Sequence, residues 1–332
     1  MQPKIKIILS SLVISILLML MKFGAYFITQ SNAILTDAAE SIVNVVASSF
    51  AFYSIYLSSL PRDQNHPYGH GKVEFFSAFV EGVLIMMAGI IIIFKAVYNL
   101  FYPQEITDII EGSYIIAFTG LINGALGFYL IQKSKKFNSL TLQADGKHLL
   151  TDMVSSFGLV IGLLLIFITQ ISWLDAVISI LIAFYIIFNG YRLTRKSVGG
   201  LMDESDVSVV KEIISYLNKN RKSEWIDIHN LRIQRYGAEI HIDCHVTLPY
   251  YFELTKVHQQ VLEIEHVINK NVTADTEFFI HADPCIPECC HYCSMPDCKV
   301  RKEPQTRTIE WSLDNVTKNQ KHFEEELSHG KL

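Results

Sequence analysis

Apolar runs long enough to cross a bilayer recur through the first 190 or so residues of this chain, at about 5–28, 32–58, 75–102, 112–133, 140–168 and 171–191. Hydrocarbon leaves no open backbone group satisfied, so such runs must be helices. Half of the 332 residues are hydrophobic, and the expected fold is a polytopic α-helical membrane protein with six spans. The first run is too long for a removable signal peptide and lacks a small-residue cleavage site, so it reads as a retained span. A net charge of −5, with no segment that gathers Lys and Arg, excludes nucleic-acid binding. Lys4 and Lys6, Arg62 and Lys72, Lys133, Lys135 and Lys136, and Arg192, Arg195 and Lys196 fall on every second junction, while 29–31, 103–111 and 169–172 have no Lys or Arg. The positive-inside rule then places both termini in the cytoplasm.

Past residue 200 the runs shrink to strand length. The spacing predicts a transmembrane domain over 1–200, a cytoplasmic domain over 201–284 and a Cys-rich tail over 285–332. Val210, Ile213, Ile214 and Leu217 have helical spacing, "DIHNLRIQ" and "EIHIDCHVTL" read as strands, a helix follows over about 254–270, and "TEFFIHAD" is a last strand. This α-β-β-α-β order suits a small antiparallel sheet covered on one face by helices. The tail, with no long period, is expected to be irregular.

Two spans carry groups that lipid would reject. Glu40 and Asn44 are four apart, as are His148 and Asp152, so each pair shares a helix face. Counted at about 1.5 Å per residue, both pairs reach the middle third of the membrane. Two oxygens from one helix and a nitrogen plus an oxygen from the other make a four-ligand site for a divalent cation. Hydrogen bonding between helices is the plainer explanation, but ionisable groups at mid-bilayer cost about 2.5–3.5 kcal/mol each, which favours a functional site. Asp37 lies nearer the outer end and reads as lining the entrance. In the second cytoplasmic junction, "RDQNHPYGHGKVE" gathers Asp63, His66 and His70. Spacing alone leaves a polar turn and a metal-binding loop level.

The chain resembles the cation diffusion facilitator family of metal exporters. "TDAAESIVNVVAS", "HPYGHGKVE", "ADGKHLLTDMVSS", and the "LMDES" exit into a domain ending "FFIHADPC" carry the resemblance. It implies a ferredoxin-like cytoplasmic domain and a homodimer in a bacterial plasma membrane. It further implies a transport site at Glu40, Asn44, His148 and Asp152, a loop site at Asp63, His66 and His70, and cytoplasmic ligands at His229, His245, His281 and Asp283, with His258 a further candidate. Lys72 and Asp203 match charged positions at the membrane boundary. His241 and His266 match none; His241, Asp243 and His245 alternate outward as a solvated strand face would.

Two departures from the family stand out. Its span-two pair usually holds an Asp, whereas here it is Glu40 and Asn44, a longer carboxylate and a weaker neutral donor. That leaves zinc and ferrous iron close as substrate and regulator, with manganese, cobalt and nickel behind. The second is "CIPECCHYCSMPDC", which holds Cys285, Cys289, Cys290, Cys293 and Cys298. Reduced cytoplasmic thiols in this spacing suit zinc, ferrous iron or a small iron–sulfur centre; the plain alternative is a tail of unliganded thiols. Cys244 reads as core. Alternating access with metal exchanged for protons is the expected mechanism, since ligands must be deprotonated to bind. The alternative is a membrane-anchored sensor. An intramembrane metalloprotease lacks its H-E-x-x-H motif, and no enzyme activity is expected.

Overall fold

A computed structural model of the chain describes residues 3–29, 32–101, 109–169, 173–272 and 275–323. It divides into two compact units, residues 1–202 and 203–332.

The first unit holds six helices of 27 to 30 residues: α1 (Pro3–Thr29), α2 (Asn32–Ser58), α3 (Val73–Phe101), α4 (Ile109–Phe137), α5 (Leu140–Thr169) and α6 (Trp173–Leu201). Each follows an apolar run, but α4 and α6 continue beyond theirs through the Lys133–Lys136 and Arg192–Lys196 segments. Among the described residues, five of them are long and apolar enough to cross a membrane; α5 carries Asp145, Lys147, His148 and Asp152 in its first half and the apolar run GLVIGLLLIFIT in its second. Leu17, Phe94 and Leu181 are among many large apolar side chains exposed on these helices, as lipid-facing surfaces require.

Glycines set how closely the helices approach. A Cβ on Gly146 of α5 would stand 3.0 Å from the Gly127 carbonyl oxygen of α4, and one on Gly127 would stand 2.9 Å from that of Gly146. Gly82 of α3 and Gly190 of α6 meet in the same reciprocal way. Small residues at both points let the backbones touch, which fixes α5 against α4 and α3 against α6. Ile8, Ile55, Leu130 and Leu142 then pack between α1, α2, α4 and α5, and Ile85, Ala144, Ile186 and Leu193 between α3, α5 and α6.

The second unit contains α7 (Val207–Lys219), β1 (Asp227–Tyr236), β2 (Glu239–Leu248), α8 (Leu254–Asn269) and β3 (Thr276–Pro284). Asp206 caps α7 by accepting from the Ser208 backbone N–H at 3.2 Å. Gly237, at φ 67°, opens the two-residue link between β1 and β2, where a hairpin needs φ > 0. The sheet runs β1-β2-β3. It is not wholly antiparallel: β2 pairs antiparallel with β1 but parallel with β3, because α8 is a crossover long enough to bring the chain back to start β3 alongside β2.

Strand β1 also contains a bulge. Its register with β2 shifts between His229 and Arg232, and Asn230 sits at φ 52°. The apolar positions explain it: Ile228, Leu231 and Ile233 all enter the core, and the step of three from Ile228 to Leu231 needs one extra residue to return Leu231 to the inner face.

After β3 the chain forms a 3₁₀ turn (Pro287–His291) and a short α9 (Leu313–Val316). Long period is lacking, as expected, yet the segment is packed. Trp311 and Val316 join the main core with Trp225, Ile228 and Ile242. Cys289, Tyr292, Cys293 and Phe323 form a second cluster with Ile226. Single large side chains at irregular spacing anchor this segment, which is why periodicity does not reveal it.

Candidate metal centres

Helices α2 and α5 bring three of the four expected membrane ligands together. Asn44 Nδ2 donates to Asp152 Oδ2 at 2.6 Å, and Asn44 Oδ1 lies 3.0 Å from His148 Nε2. His148 is buried. An ion entering this group would exchange those two hydrogen bonds for bonds to Nε2, Oδ1 and a carboxylate oxygen. The Glu40 and Asp37 side chains lie outside the described residues. One turn before His148 on α5, buried Asp145 accepts from Ser11 Oγ at 2.7 Å and Ser48 Oγ at 3.0 Å. The sequence reading missed this carboxylate, although it shares the "ADGKH" stretch; the two serines tie α1 and α2 to α5 beside the site.

The loop between α2 and α3 assembles Asp63, His66 and His70, with one ligand atom from each inside a 4.8 Å group. Asp63 Oδ1 accepts from the backbone N–H of Asn65 at 2.9 Å and of His66 at 2.7 Å, the self-closing turn that Asp favours. Gly69, at φ 84°, then turns His70 back, so that its Nε2 stands 3.4 Å from Asp63 Oδ2 and its ring 4.3 Å from that of His66. The His66 backbone N–H, aided by the His66 ring, holds the Asp63 carboxyl below its ordinary value.

A third group lies on the sheet. His229, His245 and His281 occupy matched register positions on β1, β2 and β3, and Asp283 stands among them. His229 Nε2 and His245 Nδ1 lie 3.5 and 3.2 Å from Asp283 Oδ2, and His281 Nε2 lies 3.5 Å from Oδ1. Ligand atoms of His229, His245 and Asp283 fall inside 4.8 Å of one another. Lys321 reaches to 3.9 Å from the same Oδ2. His258 is exposed on α8 and takes no part in this group. His241 does not lie on a solvated face: it is buried, with Nδ1 3.4 Å from Glu277 and its ring 4.6 Å from that of Tyr236.

Behind His229 sits Asp227, fully buried and also missed from sequence. It accepts from the His322 backbone N–H at 3.0 Å and the Tyr292 hydroxyl at 3.2 Å, contacts the His322 ring, and lies 3.7 Å from His229 Nδ1. Burial alone would raise its pKa, but the His229 ring beside it and the hydrogen bonds from the His322 ring and backbone outweigh that and hold the carboxyl far below the usual range. A carboxylate on one ring nitrogen of a ligating histidine fixes the other toward the ion. The signal was the "DIH" spacing, which puts Asp227 two residues before His229 on one strand face.

The five clustered cysteines line one cavity of about 290 Å³ with Ile226, Tyr251 and Met295 among others. All are free thiols. Among the described residues no three of their sulfurs lie within 4.8 Å of one another. Burial pushes the thiols of Cys285, Cys289 and Cys293 up. Cys244 is core, as expected, its thiol pushed up to about 12 by burial.

Together these features define a helical integral membrane protein with a polar group between its helices and, on a loop and on a small sheet domain, groups of side chains that could hold a metal ion. Comparison with known proteins gives the family. Residues 8–202 match the cation efflux transmembrane domain and residues 205–285 the cation efflux protein cytoplasmic domain. The chain belongs to the cation efflux (cation diffusion facilitator) family of metal transporters, which are not enzymes. It is 32% identical over 264 residues to an uncharacterized transporter of Synechocystis sp., covering 80% of this chain and 85% of the relative. It is 27% identical to the manganese efflux system protein MneP of Bacillus subtilis, over 85% of this chain and 97% of that one. With the zinc transporter ZitB of Yersinia pseudotuberculosis it shares 22% identity over 90% and 91% of the two chains.

Proposed function

We propose that this chain exports a divalent transition metal across a bacterial plasma membrane, in exchange for protons. The reading rests on one observation: Asn44, His148 and Asp152 meet within hydrogen-bond distance between α2 and α5. Glu40, one turn before Asn44, is assigned as the fourth ligand. An imidazole nitrogen, an amide oxygen and two carboxylates suit zinc or ferrous iron, while manganese, cobalt and nickel share the donor types. That relatives are named for manganese and for zinc supports this cargo class. In this reading all six helices cross, both termini are cytoplasmic, and two copies pair through ferredoxin-like domains. The loop group of Asp63, His66 and His70, and the sheet group of His229, His245, His281 and Asp283, hold regulatory metal outside the transport route.

The chemistry of release follows from the ligands. Metal and proton compete for the same lone pairs on His148 Nε2 and Asp152, so protonation from the outer side expels the ion. Each charge moved across the membrane is worth about 2.3 kcal/mol per 100 mV, enough to bias the cycle. The test is zinc and ferrous-iron flux into sealed vesicles that hold the purified protein. Asp152→Ala is expected to abolish flux and leave the dimer intact; normal flux by this variant would remove the site assignment.

A further inference from the structure

We infer that Cys285, Cys290, Cys293 and Cys298 ligate an iron–sulfur cluster in the cavity beside the end of the sheet. Their spacing is C-x4-C-x2-C-x4-C, and its first three positions repeat the C-x4-C-x2-C run that holds two-iron clusters. Spacing alone would equally serve a zinc ion, so geometry must decide. In a tetrahedral zinc site the metal–sulfur distance of about 2.3 Å places the sulfurs about 3.8 Å apart. Here no three thiols among the described residues come within even 4.8 Å, yet all line one cavity of about 290 Å³. Thiols spread around a common space fit a core that brings its own sulfides to the middle.

The frame around that space is built. The Arg301 guanidinium donates to the carbonyl oxygens of Cys290 and Cys293, both at 3.1 Å, and of Met295 at 2.8 Å. The Cys285 N–H donates to Leu248 O at 2.8 Å, which ties the first ligand to β2. Four thiolates leave either common cluster type net negative, and Arg301 and Lys302 in the wall supply opposite charge. Cys289 is set apart as the non-ligand: it is 1% exposed and its sulfur lies 3.4 Å from the Tyr292 hydroxyl. That hydroxyl bonds Asp227, which touches His229, so the cavity adjoins the sheet metal group through three side chains.

This site does not depend on the transport reading, and its test uses no flux. The full-length chain, purified in detergent without oxygen and incubated with ferric iron, sulfide and dithiothreitol, which reduces part of the iron where a four-iron centre needs it, is assayed for iron, acid-labile sulfide and zinc. Iron and labile sulfide are expected in equal amounts, with visible charge-transfer absorption, and electron paramagnetic resonance after reduction distinguishes a two-iron from a four-iron centre. Cys298→Ser, at the half-exposed end, is the decisive variant: it should lose labile sulfide and colour while its tryptophan fluorescence matches that of the cluster-free wild-type chain. Cys289→Ser should keep both. Zinc bound without labile sulfide, an uncoloured wild-type chain, or a Cys298→Ser variant that retains its cluster overturns the inference.

Discussion

Replacing Asp227 by asparagine tests whether the segment after β3 and the sheet metal group form one energetic unit. The substitution keeps the shape of a fully buried side chain and removes its charge. Three donors surround it: the His322 backbone N–H at 3.0 Å, the Tyr292 hydroxyl at 3.2 Å and the His322 ring. Hydrogen bonds to a charged group contribute about 1.5–3 kcal/mol, against about 0.5–1.5 for neutral ones. Three such downgrades, with an amide NH₂ now facing a donor, add to roughly 3–4 kcal/mol, in line with the cost of breaking a buried pair. The assay is denaturant unfolding of the full chain followed by fluorescence, because Trp225 and Trp311 are both buried in this unit. The sign with pH is fixed by the lowered carboxyl: its contribution is complete above the ordinary value of 3.8 and is lost as pH falls below it. The gap between wild type and Asp227→Asn should therefore hold steady from pH 7 to about 5 and close in stronger acid. Metal affinity at the sheet group should also fall about 10- to 100-fold, since His229 loses the partner that orients it. A cost below about 1 kcal/mol, or a gap that persists unchanged in strong acid, would refute the account.

Asn44→Asp should shift transport preference from ferrous iron toward zinc in competition flux, because it adds a charged oxygen to the α2 contribution; an unchanged ratio would remove Asn44 from the ligand set. His66→Ala should lower the metal bound at saturation by one ion per chain, read by equilibrium dialysis, with the fold intact because the His66 side chain is 55% exposed; unchanged stoichiometry would leave the loop a polar turn. Trp311→Ala should cost about 3–5 kcal/mol in the same unfolding assay, as expected for a large buried aromatic, and an effect under 1 kcal/mol would mean that the segment does not support the sheet.

What could be read in advance divides along physical lines. Helices α1 to α6 were legible because hydropathy is a long, redundant signal, and α7 and α8 because Val210, Ile213, Ile214, Leu217, Ile264 and Ile268 repeat at helical spacing. Two pairs at i, i+4 each marked one helix face, and the contact of Asn44 with His148 and Asp152 shows that those faces meet. The direction of β3 was not legible, because strand alternation is the same in a parallel and an antiparallel ladder. His241 was misplaced for a related reason: alternation assigns a face, but Tyr236 and Glu277 decide whether that face is open. Asp227 pairing with His322 spans 95 residues, and no local period carries such a contact.

The asparagine in the proposed transport site gains its meaning from the empty state. A carrier must return without cargo, and each carboxylate added to those already facing one another in a low-dielectric interior resists that return unless a proton is shared between them. With Glu40 as the fourth ligand, Asn44 keeps the count of carboxylates at two rather than three: its amide donates to Asp152 and faces His148 Nε2 with its oxygen, so one neutral side chain bonds both ligands of α5. The same hydrogen bonds must be broken when metal enters, which weakens binding by about the cost of two exchanged hydrogen bonds, each about 1 kcal/mol net. A site that closes on itself when empty thus gives up affinity and gains an inexpensive return step. That exchange suits the proposed transport site, whereas the regulatory site proposed on the sheet has its histidines fixed by paired strands, which favours holding an ion over releasing it.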